Sequence, residues 1–421
     1  MLAIRAGRTH TCGPRGTLPQ AVILIEGDKI VAVEERLDPP VDARVIDATA
    51  FTLTPGLVDA HTHLGLQREG LSVPDANEDT SPLNPHLRVL DAFDPLDEGL
   101  ADACRAGVTT ACVLPGSTMS FGSPVERISV IAGQGAVVKT WCRGEPVVLR
   151  EPAAMKLAFG DHPKRTFSEK KAPPATRMNI VGMLRESLAG ARAYAEARSG
   201  TRACAETRSG AAAGDQGRPG EYDLKKEALV SLLRREFPAR AHVHQTQDIL
   251  AALRLAEEFG IDLVLDHVTE GYLLADAIAR RGIPCVVGPL PFARRGPELK
   301  NLSLANPARL AAAGVKLAIM SDSPTFPAGY LPIHAGMAVR EGLPYEEALR
   351  AITISAAEIL GVADRVGSLE PGKDADMVGF SGDPLQATGR VSLVLVSGEV
   401  VVGDPGTAVP AQGDRGKGGR C

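Results

Sequence analysis

The chain has 421 residues, 44% of them hydrophobic, which is enough to bury one large core and a smaller one. Its net charge is −5 and only 4% of its residues are aromatic, which argues against nucleic-acid binding and against a polybasic membrane-binding segment. No apolar run reaches the ~18 residues of a membrane span, and the N-terminus lacks the apolar core of a signal peptide. The seven cysteines form no Cys-x-x-Cys pair. We therefore expect a cytoplasmic protein with reduced thiols and no nucleic-acid or membrane partner, and leave open whether it forms a homo-oligomer.

The first fifty residues are predicted to form β-structure. Residues 21–25 and 29–33 are apolar and flank a short glycine-containing turn, which is typical of a hairpin. The same pattern recurs near the C-terminus, where residues 391–397 and 399–402 flank a second glycine turn.

Between these ends, short apolar strands alternate with amphipathic helices, as in a parallel α/β sheet or barrel. Asp94-Pro95 is predicted to cap a helix that stops at Gly107, and Asn306-Pro307 to begin one that stops at Gly314. Eight strands are expected in this middle section, the number of a TIM-type (β/α)8 barrel. They are predicted near residues 57–61, 108–114, 134–140, 146–157, 240–244, 262–266, 283–287 and 315–320.

Two segments have no periodic pattern. Residues 199–220 are rich in Gly, Ala and Arg and are predicted to be a mobile surface insertion between two helices. The Gly-rich residues 404–421 are predicted to be a disordered tail.

Five of the nine histidines fall at the ends of predicted barrel strands, and a carboxylate ends the eighth strand. Residues two apart face the same side of a strand, so each His-x-His pair presents both rings together. The carboxyl ends of all barrel strands meet at one mouth, so residues far apart in the chain are expected to converge there. Alone, a His-x-His pair would be more often a surface feature, and an Asp-Ser-Pro sequence a turn. The converging residues are His61, His63, His242, His244, His267 and Asp322.

This residue set predicts a divalent metal site. Imidazole binds Zn and also Mn, Fe, Co and Ni. A bound ion lowers the pKa of water to about 7, which makes hydroxide available at neutral pH. A nearby carboxylate can accept the proton of that water and pass it to a leaving amine, and Asp322 is the candidate for this shuttle. His242 and His244 face the same way, so one is expected to ligate and the other to contact substrate.

The segment Pro55-Gly56-Leu57-Val58-Asp59-Ala60-His61-Thr62-His63, with the later histidines and aspartate, resembles the amidohydrolase superfamily of metal-dependent hydrolases. The segment from Gly367 to Val378 matches it as well. The resemblance implies a metal-binding (β/α)8 barrel over residues 53–365 and a small β-sandwich formed by residues 1–52 with 366–403. The chain is most similar to the branch of imidazolonepropionases and prolidase-like enzymes.

The resemblance also implies roles for individual residues. It favours His242 as the ligand of the fifth strand, and His244 as a residue that either supports a ligand or binds substrate. His267 would be a ligand or catalytic residue beside the metal. One ion would be held by His61, His63, His242 and Asp322. Members with two ions carry a bridging carboxylated lysine, for which Lys156 is the candidate and Lys139 the alternative.

The implied activity is hydrolysis of a C–N bond in an amide, cyclic amide or peptide-like small molecule. The chain lacks the His-x-x-Glu that deaminases carry after the fifth strand, because Gln245 follows His244. It also lacks a third-strand glutamate like that of N-acetylglucosamine-6-phosphate deacetylases. A metal-dependent deaminase is the alternative, and a non-catalytic scaffold relative is a third. An arginine could bind a substrate carboxylate through two parallel hydrogen bonds. The candidates are Arg143, Arg150, Arg165 and Arg177.

Overall fold

The computed structural model describes residues 1–67, 75–116, 128–207, 222–294 and 296–403, and the side chains of residues 200–207 are not described. The predicted tail at 404–421 and residues 208–220 of the predicted insertion lie outside these ranges. The prediction that the chain leaves helical structure at residue 199 is wrong, because the preceding helix continues to Thr207. Among the described residues, no helix combines the length and the apolarity that a membrane crossing requires.

The strands occur close to the predicted positions. The N-terminal strands are β1 (Leu2–Ala6), β2 (Thr9–His10), β3 (Thr17–Leu18), β4 (Ala21–Glu26), β5 (Lys29–Glu34), β6 (Arg44–Ala48) and β7 (Thr52–Pro55). The central strands are β8 (Leu57–Thr62), β9 (Val108–Val113), β10 (Ile131–Lys139), β11 (Val148–Ala158), β12 (Ala239–Val243), β13 (Leu263–His267), β14 (Cys285–Val287) and β15 (Leu317–Ile319). The C-terminal strands are β16 (Met377–Ser381), β17 (Arg390–Val396) and β18 (Glu399–Val402).

The helices lie mainly between and after the central strands. They are α1 (Glu98–Arg105), α2 (Asp161–Glu169), α3 (Arg177–Thr207), α4 (Leu224–Leu233), α5 (Thr246–Phe259), α6 (Ala275–Ala279), α7 (Asn306–Ala312), α8 (Leu331–Arg340), α9 (Tyr345–Ala351) and α10 (Ile354–Leu360). The predicted helix cap at Asp94 is wrong. The cap is Asp97, whose side chain accepts a hydrogen bond from the Gly99 amide, and α1 begins at the next residue, Glu98.

The eight central strands form one sheet in the order β15-β14-β13-β12-β11-β10-β9-β8. Seven of them run parallel, but β10 is antiparallel to both of its neighbours, β9 and β11. The regular βα alternation therefore fails here, since β10 and β11 follow each other without a helix between them. The barrel prediction is confirmed in strand number and position and is wrong in the direction of this one strand.

Polar contacts close the barrel where β8 meets the end of β15. The carboxylate of Asp59 is fully buried and accepts hydrogen bonds from the hydroxyl and backbone N–H of Ser321. Two backbone bonds continue the seam, from Asp322 N to His61 O at 3.2 Å and from His63 N to Ser323 O at 2.7 Å. Burial raises the pKa of Asp59 to about 7, although the hydrogen bonds that its carboxylate accepts from Ser321 oppose the shift. These contacts fix the His61-Thr62-His63 segment against the end of the last barrel strand.

Two further sheets contain the segments predicted to form the small β-sandwich. One has the order β5-β4-β1-β6 and the other the order β18-β17-β16-β7-β2-β3. Both predicted hairpins are confirmed, because β4 pairs with β5 and β17 pairs with β18, each antiparallel. One apolar cluster draws on both sheets and includes Ile4, Ile23, Leu53, Met377 and Leu395. The N- and C-terminal segments thus share a core, while the domain boundaries stay predictions.

Candidate metal centre

The structure brings the predicted ligands together at one end of the barrel. The rings of His61 and His267 have centroids 5.2 Å apart, and those of His242 and His267 are 4.3 Å apart. Asp322 joins them, with its Oδ1 3.6 Å from His61 Nε2 and 3.4 Å from His63 Nε2. Strands of the same direction deliver these side chains to the same end, which is the physical reason for their convergence.

Three of the imidazoles make a hydrogen bond through Nδ1. His63 Nδ1 lies 2.7 Å from the carbonyl oxygen of Leu114, and His267 Nδ1 lies 3.0 Å from that of Gly288. A carbonyl oxygen only accepts, so Nδ1 carries the proton in both rings and Nε2 of the neutral ring presents a lone pair. His244 Nδ1 lies 2.7 Å from the Thr269 hydroxyl. Backing of this kind orients a metal-ligating imidazole.

Several atoms in the cluster are buried without a hydrogen-bond partner. They include both ring nitrogens of His242, Nε2 of His63 and Oδ1 of Asp322. Leaving a buried polar atom unpaired costs on the order of 1–3 kcal/mol, so such atoms are rare unless a ligand or water completes them. Imidazole nitrogens and a carboxylate oxygen are ligands that a divalent transition metal accepts. The donor set therefore fits a metal ion.

The ligand atoms form two groups in which all atoms lie within 4.8 Å of one another. One group is His242, His244 and His267, and the other is His61, His267 and Asp322. Because His267 belongs to both, the cluster offers two adjoining positions. The geometry places His244 among the candidate ligands beside His242, so the expected division of roles between these two residues stays a prediction.

The two candidate lysines lie at opposite ends of the barrel. Lys156 Nζ is buried 3.3 Å from His61 Nε2. Lys139 lies opposite Thr110, near the start of β9, because β10 runs antiparallel. Its Nζ is 2.9 Å from Asp374 and also contacts Asp376. Only Lys156 of the two is within reach of the histidine cluster.

Two residues of the cluster have unusual backbone conformations. His267 has φ of +66° and Asp322 has φ of +58°, both in the left-handed region that non-glycine residues seldom adopt. His267 is the last residue of β13, and Asp322 lies three residues after the end of β15. The left-handed conformation costs about 1–2 kcal/mol per residue. Such strain persists where surrounding contacts hold it, and here both residues direct donor atoms into the cluster.

Burial governs the electrostatics of the cluster. It lowers the pKa of His61 to about 4, and it lowers the pKa of His242 and of His267 well below the usual value. These rings are therefore neutral near pH 7, which is the form that binds metal. Burial also lowers the pKa of the Lys156 amine, and the charge of Arg240 acts in the same direction.

Two polar residues of the site were missed in the sequence. Arg240 and Asp266 form a buried ion pair in the barrel interior, with an Nη2–Oδ1 distance of 2.6 Å. Asp266 Oδ2 is 3.2 Å from both Lys156 Nζ and His61 Nδ1. A signal was present, since Arg240 lies two residues before His242 in an otherwise apolar strand and so faces the same side. A charged residue on the ligand face of a buried strand indicates a partner nearby.

A second missed pair lies at the edge of the cluster. His162, at the start of α2, has its Nε2 3.1 Å from Glu298 Oε2, and its ring centroid is 5.2 Å from that of His242. Burial would raise the pKa of Glu298, but the hydrogen bond from His162 and nearby imidazole charge lower it to about 2. Glu298 is therefore ionised near pH 7 and carries a negative charge beside the histidines.

The candidate arginines are dispersed. Arg150 lies near the start of β11 and donates to the carbonyls of Leu360 and Glu236, away from the ligand end. Arg143 pairs with a glutamate of β18, and Arg165 is exposed. Arg177 lies closest to the fifth-strand loop, where its guanidinium donates to Asp161, Asp248 and Gln245.

The profile of the amidohydrolase family matches residues 52–401 of this chain. The chain belongs to the amidohydrolase family. A solved amidohydrolase structure from Thermotoga maritima MSB8 is 36% identical, with a TM-score of 0.86, and the match covers 96% of this chain and 100% of that one. Amidohydrolase tasK of Hapsidospora irregularis is 28% identical over 406 residues, which is 91% of this chain. Imidazolonepropionase of Rhizobium meliloti (strain 1021) is 26% identical over 395 residues, which is 87% of this chain and 86% of that protein.

These similarities confirm the resemblance found in the sequence, including its imidazolonepropionase-like character. This amidohydrolase spans only 40% of the length of the tasK relative, so that protein extends well beyond the shared region. Members of the family typically bind a divalent metal, and the histidine and aspartate cluster of this chain could hold one.

Proposed function

We propose that this amidohydrolase hydrolyses the C–N bond of an amide, cyclic amide or peptide-like small molecule with the aid of a divalent metal ion. The proposal rests on the cluster of buried imidazoles. The Nδ1 atoms of His63 and His267 are hydrogen-bonded to backbone carbonyl oxygens, while other ring nitrogens and an oxygen of Asp322 converge without a hydrogen-bond partner. A bound ion lowers the pKa of water to about 7 and polarises a carbonyl, so it supplies the nucleophile and electrophilic activation.

The residues proposed to hold the metal are five of the six converging side chains, and the sixth, His244, is proposed to contact the substrate. Zinc is the first expectation, because it accepts imidazole and carboxylate ligands in an open, catalytic arrangement. A second ion would use Lys156 as a carboxylated bridge, and the buried position of its amine beside His61 supports that assignment. The proposed ligands are His61, His63, His242, His267, Asp322 and, in a two-ion centre, Lys156.

The protein side chains would move the proton and hold the substrate. Asp322 is buried among the histidines, and its carboxylate would accept a proton from the attacking water and deliver it to the departing nitrogen. His267 keeps its ring orientation through Gly288, which fixes the direction of its Nε2. His244, oriented by Thr269, is proposed to contact the substrate. The similarity to an imidazolonepropionase over 87% of this chain supports a small-molecule substrate.

The test is a substrate screen on zinc- or manganese-loaded protein, followed by the Asp322→Asn variant. The screen includes imidazolonepropionate-like lactams, hydantoins, dipeptides and N-acyl amino acids, with product amine as the readout. For an accepted substrate, Asp322→Asn should lower kcat by about 10²–10⁴-fold, the usual contribution of a positioned acid or base. The variant should keep its metal. Activity near the wild-type level would exclude Asp322 as the proton shuttle.

The same screen separates the alternative reaction. Aminopurines and cytosine are included, and release of ammonia from them without cleavage of a ring or amide would select a deaminase. The fifth-strand loop favours hydrolysis, because Gln245, which is neutral, receives hydrogen bonds from Arg177 and Gln247 where a deaminase places its acidic shuttle.

A further inference from the structure

A buried ion pair lies inside the barrel, next to the histidine cluster. Arg240 on β12 and Asp266 on β13 have side-chain exposures of 1% and 0%. Arg240 donates from Nε and Nη2 to the same oxygen, Asp266 Oδ1, at 2.9 and 2.6 Å. Its Nη2 also donates to the Ala60 carbonyl, next to His61. Both side chains are therefore fixed between the strands that carry candidate ligands.

The second oxygen of Asp266 faces the cluster. Asp266 Oδ2 accepts a hydrogen bond from Lys156 Nζ at 3.2 Å. It also lies 3.2 Å from His61 Nδ1, a close approach that is not aligned as a full hydrogen bond. A purely structural Arg–Asp pair commonly uses both carboxylate oxygens in a two-pronged contact. Here the guanidinium occupies one oxygen and leaves the other to His61 and Lys156.

A stabilising role explains this arrangement poorly. Replacement of a buried ion pair by apolar residues of similar volume is often neutral or stabilising, so burial alone gives little reason to keep two charges here. A carboxylate on the Nδ1 side of a ligating imidazole, in contrast, fixes the ring and raises its basicity at Nε2. His61 meets this description, because its Nε2 faces Asp322 while its Nδ1 faces Asp266.

We propose that Asp266 is a positioning residue that orients His61 and Lys156 toward the metal centre, and that Arg240 holds Asp266 in place for this task. The inference rests on the metal centre of the proposed function. It adds two residues that contact no substrate and act through the ligands. Loss of the pair should weaken metal binding and alter the coordination geometry, whichever substrate the enzyme uses.

The test compares two double variants with the wild type in the absence of substrate. Arg240→Met with Asp266→Leu removes the pair while approximating its volume. The matched control, Lys139→Met with Asp376→Asn, alters a buried ion pair at the opposite end of the barrel. Zinc affinity is measured by competition with a chromophoric chelator, and the coordination geometry by the visible absorption spectrum of Co²⁺-loaded protein. Urea unfolding of the metal-free proteins reports stability separately.

We expect the Arg240/Asp266 double variant to bind zinc about 10–100-fold more weakly, with an altered Co²⁺ spectrum, as for other outer residues of metal sites. The control variant should match the wild type in zinc affinity and in the Co²⁺ spectrum. If the leucine variant does not fold, Arg240→Met with Asp266→Asn takes its place, with a smaller loss expected.

Three results would overturn the inference. The first is a folded variant with wild-type zinc affinity and Co²⁺ spectrum, which leaves the proposed function intact. The second is an equal loss of affinity in the control, because the effect would then follow from destabilisation. The third is a wild-type protein that binds no divalent ion, which overturns the proposed function as well.

Discussion

Substitution of Lys139 by methionine tests the placement of the two lysines. The Lys139 ammonium is buried against Asp374 and Asp376, which are themselves buried. Asp374 also pairs with Lys29 and Arg365, so it keeps two cations when Lys139 is lost. Asp376 loses the ammonium that faces its Oδ2. One buried carboxylate is thereby left uncompensated, which destabilises a fold by about 3–5 kcal/mol.

Urea unfolding followed by circular dichroism measures this loss. With a slope of about 2–3 kcal/mol per molar urea, the midpoint should fall by about 1–2.5 M. Adding Asp376→Asn to Lys139→Met should restore most of the stability, because the unpaired charge is removed. Metal content should equal that of the wild type in every variant that folds. A stable Lys139→Met protein that has lost metal would refute the reasoning and restore Lys139 as the bridging candidate.

Three further predictions concern stability and metal. Burial lowers the pKa of His334 to about 4, below the unfolded value of 6.5, so the stability from keeping the ring neutral is present above pH 6.5 and declines as the pH falls toward 4. The full loss, reached near pH 4, is about 3 kcal/mol, and about 2 kcal/mol of it falls between pH 7 and pH 5. His334→Gln should reduce this difference between urea unfolding at pH 7 and at pH 5. Gly336→Ala in α8 should destabilise, because a Cβ would lie 2.0 Å from the Leu385 carbonyl oxygen. Gly190→Ala in α3, with open space around it, should instead stabilise by up to about 1 kcal/mol in thermal unfolding. Prolonged chelation should abolish turnover of any substrate found, and zinc should restore it; full activity of metal-free protein would contradict the proposed cofactor.

The sequence by itself determined where the barrel strands lie and which histidines end them. Apolar runs bounded by turn residues are local signals, so the eight predicted strands and the two hairpins differ from the observed ones by a few residues. The His61-Thr62-His63 motif was equally legible, because strand alternation alone places both rings on one face. The identity of the family follows from the same local patterns.

Strand direction and contacts between distant strands were decided only by the tertiary structure. The apolar pattern of β10 is the same in either direction, so the sequence could not place Lys139 at the end of the barrel opposite the histidines. The contacts of Asp266 with Arg240, Lys156 and His61 join four strands through side chains up to 205 positions apart in the printed numbering. Such contacts depend on register and direction across the whole sheet, which no local pattern specifies. The position of His267 and Asp322 in the left-handed backbone region has the same origin, since surrounding contacts hold a conformation that neither residue prefers.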